Sequence, residues 1–362
     1  MSMKILHVIT SLETGGAETL VVNLLPRLHD LGHEVGLVVF NGNQTMLMDR
    51  LVTLCPSCRI YKFGQSYYNP SYIFKLIKIM RRYDIVHTHN SSPQLYAVIA
   101  NLFCRKKLVT TEHSTNNRKR ERGGLLRIAD RYMYRNYDRI ICISNIALVK
   151  LTDYLHDRFL HEKICTINNG VDVERFHSAK PISDIHKHRF VVVMVAGFRE
   201  AKDQDTLIKA IAKLPQEKFE LWLVGDGERR DELKKLVSDQ NVEDNIKFLG
   251  VRSDVANVLK AADVVVMSSH WEGLSLSNIE GMSVGKPFVA SNVDGLREIT
   301  KDAGILFKHE DADELASIIL RLSKDKEYYD YIAARCYERA KRFNISKTVE
   351  GYNMVYQSLA NG

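Results

Sequence analysis

The chain has 362 residues, more than a single hydrophobic core normally serves, so two domains are expected. With 45% apolar and 26% charged residues, 7 Pro and 20 Gly, the composition excludes a disordered or fibrous protein. The net charge of +7 is uneven: residues 1–180 carry 25 Lys/Arg against 15 Asp/Glu, and residues 181–362 carry 26 against 29. No zinc-finger spacing, RNP signature or basic zipper accompanies the basic half, which argues against nucleic acid and for an anionic substrate or membrane surface.

Short, β-branched, nearly continuous apolar runs predict strands at 4–9, 35–40, 59–63, 84–88, 107–111, 139–143 and 164–167. Strands buried on both faces of a parallel sheet have this character. Between the first two, a helix over 18–31 aligns Leu20, Val21, Leu24, Leu25, Leu28 and Leu31 and stops at Gly32, a left-handed cap position. Cys142 and Cys165 fall inside apolar runs and read as reduced thiols; the pair Cys55/Cys58 has no second half-site for zinc. Residues 172–189, with Pro181 and a His/Lys/Asp mixture, read as a linker. The pattern then restarts, with strands at 190–196, 219–224, 246–249, 263–267, 287–291 and 304–307. The expected fold is α/β, two Rossmann-like doubly wound parallel sheets: a first domain over 1–175, a second domain over 190–342, and a tail, 343–362, packing back on the first. Ligands of such sheets bind beyond the carboxyl ends of the strands, so the cleft between two such edges is where chemistry is sought.

The most informative segment follows the strand at 263–267 and runs from Ser268 to Met282. Glu272 and Glu280 are eight apart, one in the loop and the other on the helix that the loop opens. Between them the backbone N–H groups of Gly273, Leu274, Ser275, Leu276 and Ser277 point from a helix start, where the dipole favours an anion such as a diphosphate. Spacing alone equally fits a capped helix with a solvated Glu at each end.

Continued through Gly285-Lys286-Pro287 to Asp294-Gly295-Leu296-Arg297-Glu298, this stretch closely resembles the signature of the retaining glycosyltransferases of family 4, also called glycosyl transferases group 1. Further matches follow in order: Gly15-Gly16-Ala17-Glu18, Thr111-Glu112-His113, Asn169-Gly170-Val171-Asp172, Leu223-Val224-Gly225-Asp226-Gly227 and Phe248-Leu249-Gly250. The resemblance implies a GT-B fold, its two domains facing a central cleft. It also implies transfer of a hexose-type sugar from a UDP-, GDP- or ADP-linked donor to a glycan or lipid-linked hydroxyl, with retention, in polysaccharide or glycolipid assembly. By the same resemblance Gly15 and Gly16 approach the diphosphate or acceptor through backbone amides, His113 and Glu272 hold the sugar, Glu280 binds the ribose, and Lys202 neutralises the diphosphate. No metal or other cofactor is expected.

The sequence departs from the family at Gly197, where an Arg is usual; Arg199, two residues on, substitutes only if it turns toward the ligand. Asp203-Gln204-Asp205 has a metal-binding D-x-D spacing, but the apolar stripe after it makes Asp205 a helix cap. Gly225-Asp226-Gly227 lacks the full dinucleotide glycine run and is expected to flank the base. The basic stretch Arg118-Lys119-Arg120-Glu121-Arg122, continued by Arg127, Arg131 and Arg135 among apolar residues, fits either a solvated helix face or a helix on anionic lipid. The N-terminus has no signal-like apolar core and no apolar run is long enough to span a bilayer, so the expected location is cytoplasmic, with peripheral contact at the inner face of the membrane. Two alternatives stay open: a sugar-nucleotide epimerase of the same fold, and a non-catalytic nucleotide-sugar-binding subunit.

Overall fold

A computed structural model describes residues 2–13, 15–113, 125–183, 185, 188–272 and 276–361. The chain forms two compact units, residues 1–170 with 345–362, and residues 171–344.

The first unit holds β1 (Lys4–Ile9), β2 (Glu34–Asn41), β3 (Arg59–Gly64), β4 (Ile85–His89), β5 (Lys107–Glu112), β6 (Arg139–Cys142) and β7 (Ile164–Thr166), in the order β3-β2-β1-β4-β5-β6-β7. Every pairing is parallel. Each expected strand is present to within a residue or two, because parallel strands covered on both faces bury nearly every side chain and leave the apolar run as their signature. Helix α1 (Gly16–Asp30) ends as anticipated ahead of Gly32, at φ 89°. Leu31, expected on its apolar stripe, is instead 51% exposed, since it follows the last helical residue and leaves the helical phase. Helix α2 (Leu125–Arg135) lies beyond β5; residues 118–122 of the basic stretch fall outside the described residues.

The second unit opens with α3 (Val173–His177), inside the stretch read as a linker. Val171, Val173 and Phe176 are buried in its core, so this stretch is packed structure rather than a tether. Polar Lys/His/Asp neighbours hid three apolar anchors from a periodicity argument. The sheet follows as β8 (Phe190–Val195), β9 (Phe219–Val224), β10 (Ile246–Gly250), β11 (Val264–Met267), β12 (Phe288–Ser291) and β13 (Ile305–Phe307), ordered β10-β9-β8-β11-β12-β13 and again parallel. Helix α4 (Gln204–Ala212) follows β8, and α5 (Leu276–Ser283) follows β11. The last helix, α6 (Ile345–Ala360), belongs to the first unit, where Val349, Tyr352 and Tyr356 enter the core that also holds Ile5, Ile9 and Ile85.

In both sheets the strand order reverses once, between β1 and β4 and between β8 and β11. Helices cross to opposite faces there, opening a crevice beyond the carboxyl ends of the strands.

Candidate active site

At the β1/β4 switch point Gly15 precedes α1 in extended conformation, and a Cβ built on it would lie 2.2 Å from Glu18 Oε2. The Glu18 carboxylate has folded back over the start of its own helix; Gly16 opens on free space. Asn90, just past β4 at φ 71°, donates from Nδ2 to Glu18 Oε1 at 3.5 Å. Burial pushes the Glu18 carboxyl up.

His113 is the first residue after β5, and it does not stand alone. Its Nε2 is 2.9 Å from His89 Nδ1, and His89 Nε2 is 3.0 Å from His7 Nδ1. Tyr356 Oη lies 3.4 Å from His7 Nε2 and 2.6 Å from His87 Nδ1. The chain ends through His87 Nε2, 2.8 Å from Thr111 Oγ1, which is 3.0 Å from Tyr352 Oη. Sheet register explains the assembly: His7 pairs with His87 across β1/β4, His89 pairs with Thr111 across β4/β5, and residues two apart share a face. Tyr352 and Tyr356, one helical turn apart on α6, cover that face. His7, His87 and His89 have no exposed surface. Burial drives His7 and His113 down to about 3, and His87 and His89 well below the ordinary imidazole range, so all four are neutral at neutral pH.

A neutral imidazole donates from one nitrogen and accepts at the other, so such a chain must be polarised as a whole. If His89 Nδ1 donates to His113 Nε2, His113 carries its proton on Nδ1; with the opposite polarity Nδ1 offers a lone pair. Nδ1 is buried without a hydrogen-bond partner among the described residues.

In the second unit, β8 leads through exposed Gly197 and Arg199 into a single 3₁₀ turn, Glu200–Lys202. Lys202 Nζ donates to Glu272 Oε1, in the loop after β11, and Ser269 Oγ donates to the same oxygen at 2.9 Å. The Glu272 side chain is 8% exposed and that of Lys202 24%. The structure thus joins as one ion pair, at the β8/β11 switch point, two groups that the sequence assigned to separate tasks. Leu276 and Ser277 open the described part of α5, with Glu280 one turn on, half-buried and engaged in polar interactions. Gly273, Leu274 and Ser275 lie outside the described residues. Lys202 N–H donates to Arg199 O at 2.9 Å, and among the described residues the Arg199 side chain forms no hydrogen bond or ion pair with Glu272.

In the D-x-D segment the helix cap is Asp203 and not Asp205. Asp203, at φ 45°, caps α4 by accepting from Thr206 N–H at 3.1 Å and Thr206 Oγ1 at 2.7 Å, because the helix starts at Gln204, ahead of Asp205. Asp205 instead accepts both terminal nitrogens of Arg229, at 2.7 and 3.0 Å. Gly225, at φ 139°, and Gly227 answer to packing: a Cβ on them would lie 2.1 Å from Ala196 O and 2.5 Å from Phe198 O, where the β8 and β9 exits close on each other. Sequence reasoning missed Ser269, Asn90 and the histidines at 7, 87 and 89; alternation of His through two adjacent strands was the available signal.

The model for Glycosyltransferase Family 4 matches residues 14–175, and the model for Glycosyl transferases group 1 matches residues 176–342. The chain is 30% identical over 332 residues, 84% of its length and 82% of the relative's, to the UDP-Gal:alpha-D-GlcNAc-diphosphoundecaprenol alpha-1,3-galactosyltransferase of Escherichia coli. It is 26% identical, over 94% of its length and 93% of the relative's, to the N-acetyl-alpha-D-glucosaminyl L-malate synthase of Bacillus anthracis. Among solved structures, Anabaena HepE in complex with UDP and glucose superposes with a TM-score of 0.83 at 24% identity, covering 98% of this chain and 100% of that one.

Proposed function

Since the chain belongs to glycosyltransferase family 4, with the family's GT-B pair of parallel-sheet domains, we propose that it moves a hexose-type sugar from a UDP-linked donor to the hydroxyl of a lipid-linked glycan, keeping the anomeric configuration. The observation that carries this reading is the meeting of Lys202 and Glu272 at the β8/β11 switch point, beside the start of α5. A diphosphate entering there finds an ammonium donor and a helix N-terminus, and displaces Lys202 in part from Glu272. Glu272 is then free to accept from a sugar hydroxyl, and Glu280 from the ribose. The galactosyltransferase and HepE named above favour UDP over GDP or ADP.

In the reaction the bond from the anomeric carbon to the diphosphate oxygen breaks, the acceptor oxygen bonds on the same face, and the acceptor proton passes to the departing diphosphate. His113 does not take that proton, because burial destabilises its imidazolium; its Nδ1 holds a sugar hydroxyl. The protein supplies position and charge.

No metal is routed through this chemistry, and transfer is expected to survive EDTA. The first test is a panel of nucleotide sugars with a diphosphoprenyl-linked GlcNAc acceptor, following nucleotide release and the glycan product. Release coupled to a new linkage with retained configuration supports the proposal. Conversion of donor without nucleotide release would mean an epimerase, and binding without turnover on any acceptor a non-catalytic subunit.

A peripheral membrane contact on the cytoplasmic side fits the same acceptor. On α2, Ile128 and Tyr132 are each 63% exposed, one turn apart, with Arg127 exposed beside them. Among the described residues no helix is long and apolar enough to cross a membrane. Co-sedimentation with anionic vesicles, lost in Ile128→Ser/Tyr132→Ser, tests this contact.

A further inference from the structure

Behind the Lys202–Glu272 pair, three chain segments bring together a set of groups that sugar transfer does not use. His270 lies in the loop after β11, His309 in the loop after β13, and Asp203 at the start of α4. His270 Nδ1 is 2.7 Å from His309 Nε2, 3.9 Å from Asp203 Oδ2 and 3.3 Å from Glu310 Oε1; His309 Nε2 is 3.9 Å from that same Glu310 oxygen. One ligand atom from each of Asp203, His270 and His309 lies within 4.8 Å of the others. The two rings meet edge to face, at 88°. The two imidazole nitrogens thus face each other, with a carboxylate oxygen of Asp203 and one of Glu310 within 3.9 Å of His270 Nδ1.

We propose that Asp203, His270 and His309, with Glu310 as fourth ligand, form a binding site for a borderline-soft divalent transition ion of the zinc, cobalt or nickel type. Bond lengths of about 2.0–2.2 Å in a tetrahedral site place ligand atoms about 3.3–3.6 Å apart, and the spacings of 2.7 to 3.9 Å here bracket that value. Two imidazoles with carboxylates select such ions over magnesium or calcium, which take all-oxygen shells. Asp203 is held in place by its two hydrogen bonds from Thr206, the kind of outer support that fixes a ligand's orientation. The field favours a cation independently of the histidines. A cavity of about 760 Å³ beside the cluster is lined by six carboxylates against two cationic side chains, and one of those, Arg229, is already paired with Asp205 and Glu232.

The position gives the site a consequence, which rests on the transferase reading where the binding itself does not. Asp203 follows Lys202 directly, His270 precedes Glu272 by two residues, and His270 N–H donates to Ala201 O at 3.0 Å. An ion held by Asp203 and His270 ties together the two loops that carry the Lys202–Glu272 pair. It fixes their separation without touching the substrate.

The test uses the full chain, stripped with chelator and titrated with Co²⁺ and, separately, Zn²⁺. The proposal expects one Co²⁺ per chain with the intense visible absorption of a tetrahedral site, displaced by Zn²⁺. His309→Ala and His270→Ala should each weaken binding at least about tenfold, since even loss of a supporting partner costs that much. His309→Cys should restore it, and Asp205→Asn should leave it unchanged. Zn²⁺ should raise the melting temperature of the parent protein and not that of His309→Ala. His309 is 37% exposed, so its replacement leaves the core intact, and Glu310→Ala provides a second variant. Octahedral or absent Co²⁺ absorption, or unaltered binding in both His309→Ala and Glu310→Ala, would overturn the site and leave a hydrogen-bonded polar cluster. A separate measurement of donor KM with and without Zn²⁺ addresses the loop-tying consequence: no change with binding intact removes that consequence alone.

Discussion

At the carboxyl end of the first sheet His7, His87, His89 and His113 are joined by contacts between neutral groups, whereas at the matching end of the second sheet Lys202 meets Glu272 and Arg229 meets Asp205 as charged pairs. Both ends sit at a switch point of the same doubly wound topology, so the fold does not dictate the difference. Burial does. The imidazoles lie between sheet and helix with no exposed surface on three of them, where a charge is too costly to keep; the ion pairs sit in the turns and helix starts beyond the strands, where water still reaches one partner. A neutral chain fixes the direction of hydrogen bonds and suits a hydroxyl-rich ligand. A half-solvated ion pair exchanges readily for an anion and suits a diphosphate.

Removing charge from the second site should have the largest consequence. Lys202→Ala is expected to lower kcat/KM about 10²- to 10³-fold, the usual loss when a positioned donor to a developing anion is deleted. Steady-state rates on a protein shown to be folded decide it; a loss below tenfold would mean that the charged half of the comparison does not handle the leaving group. Glu280→Ala should weaken UDP binding by roughly 10- to 100-fold in calorimetry, the range for hydrogen bonds to a charged group. Unchanged affinity in a folded variant would remove the ribose role.

The neutral half is tested by pH. In the unfolded chain these imidazoles protonate near 6.5, while in the folded chain His7 and His113 resist protonation down to about 3 and His87 and His89 stay well below the ordinary range. The unfolded state therefore binds more protons below pH 6.5, and stability falls as pH drops from about 6.5 toward 3, by up to about 1.4 kcal/mol per pH unit for each such residue. Urea midpoints at pH 7.0, 6.0 and 5.0 should decline steadily, and less steeply in His7→Gln. A flat profile would show that the cluster accepts a proton in the folded state, which contradicts its neutrality.

Much of the architecture was legible in the sequence, and the reason differs by region. The inner strands were readable because two-sided burial writes an apolar run into them, whereas the spacing of Glu272 and Glu280 fits a plain capped helix as well, and only the residues around them single the pair out. The histidine chain was not. Its members come from β1, β4, β5 and α6, Tyr356 is 349 residues from His7, and only the β1/β4 register and the return of the last helix bring them together. The cap of α4 was misplaced by two residues, since the apolar stripe that marks a helix says nothing of where its first turn begins. In residues 171–178 three buried apolar side chains sit among charged neighbours, and no period of 2 or 3.6 had room to appear.

The smallest expected effect concerns Gly197, where the resemblance to the family leads to the expectation of an Arg. A Cβ built there meets nothing closer than Asp226 O at 3.7 Å; the next nearest atom is Arg199 Nε, at 3.9 Å. Arg199 thus lies over the space into which a side chain at 197 would extend, exposed and without a hydrogen bond or ion pair to Glu272 among the described residues. An exposed charge in that position contributes up to about 1 kcal/mol to holding an anion, so Arg199→Ala should lower kcat/KM by less than about fivefold. Gly197→Arg is sterically allowed, and in the Arg199→Ala background it should recover the lost rate, because the new guanidinium enters the vacated space and acts on the same group. Four proteins measured with one donor and one acceptor form a double-mutant cycle, and a coupling energy near zero would mean that positions 197 and 199 serve different groups. If Arg199→Ala alone costs as much as Lys202→Ala, the side-chain charge on the diphosphate is shared by two residues, and the second site is more heavily cationic than the Lys202–Glu272 pair by itself implies.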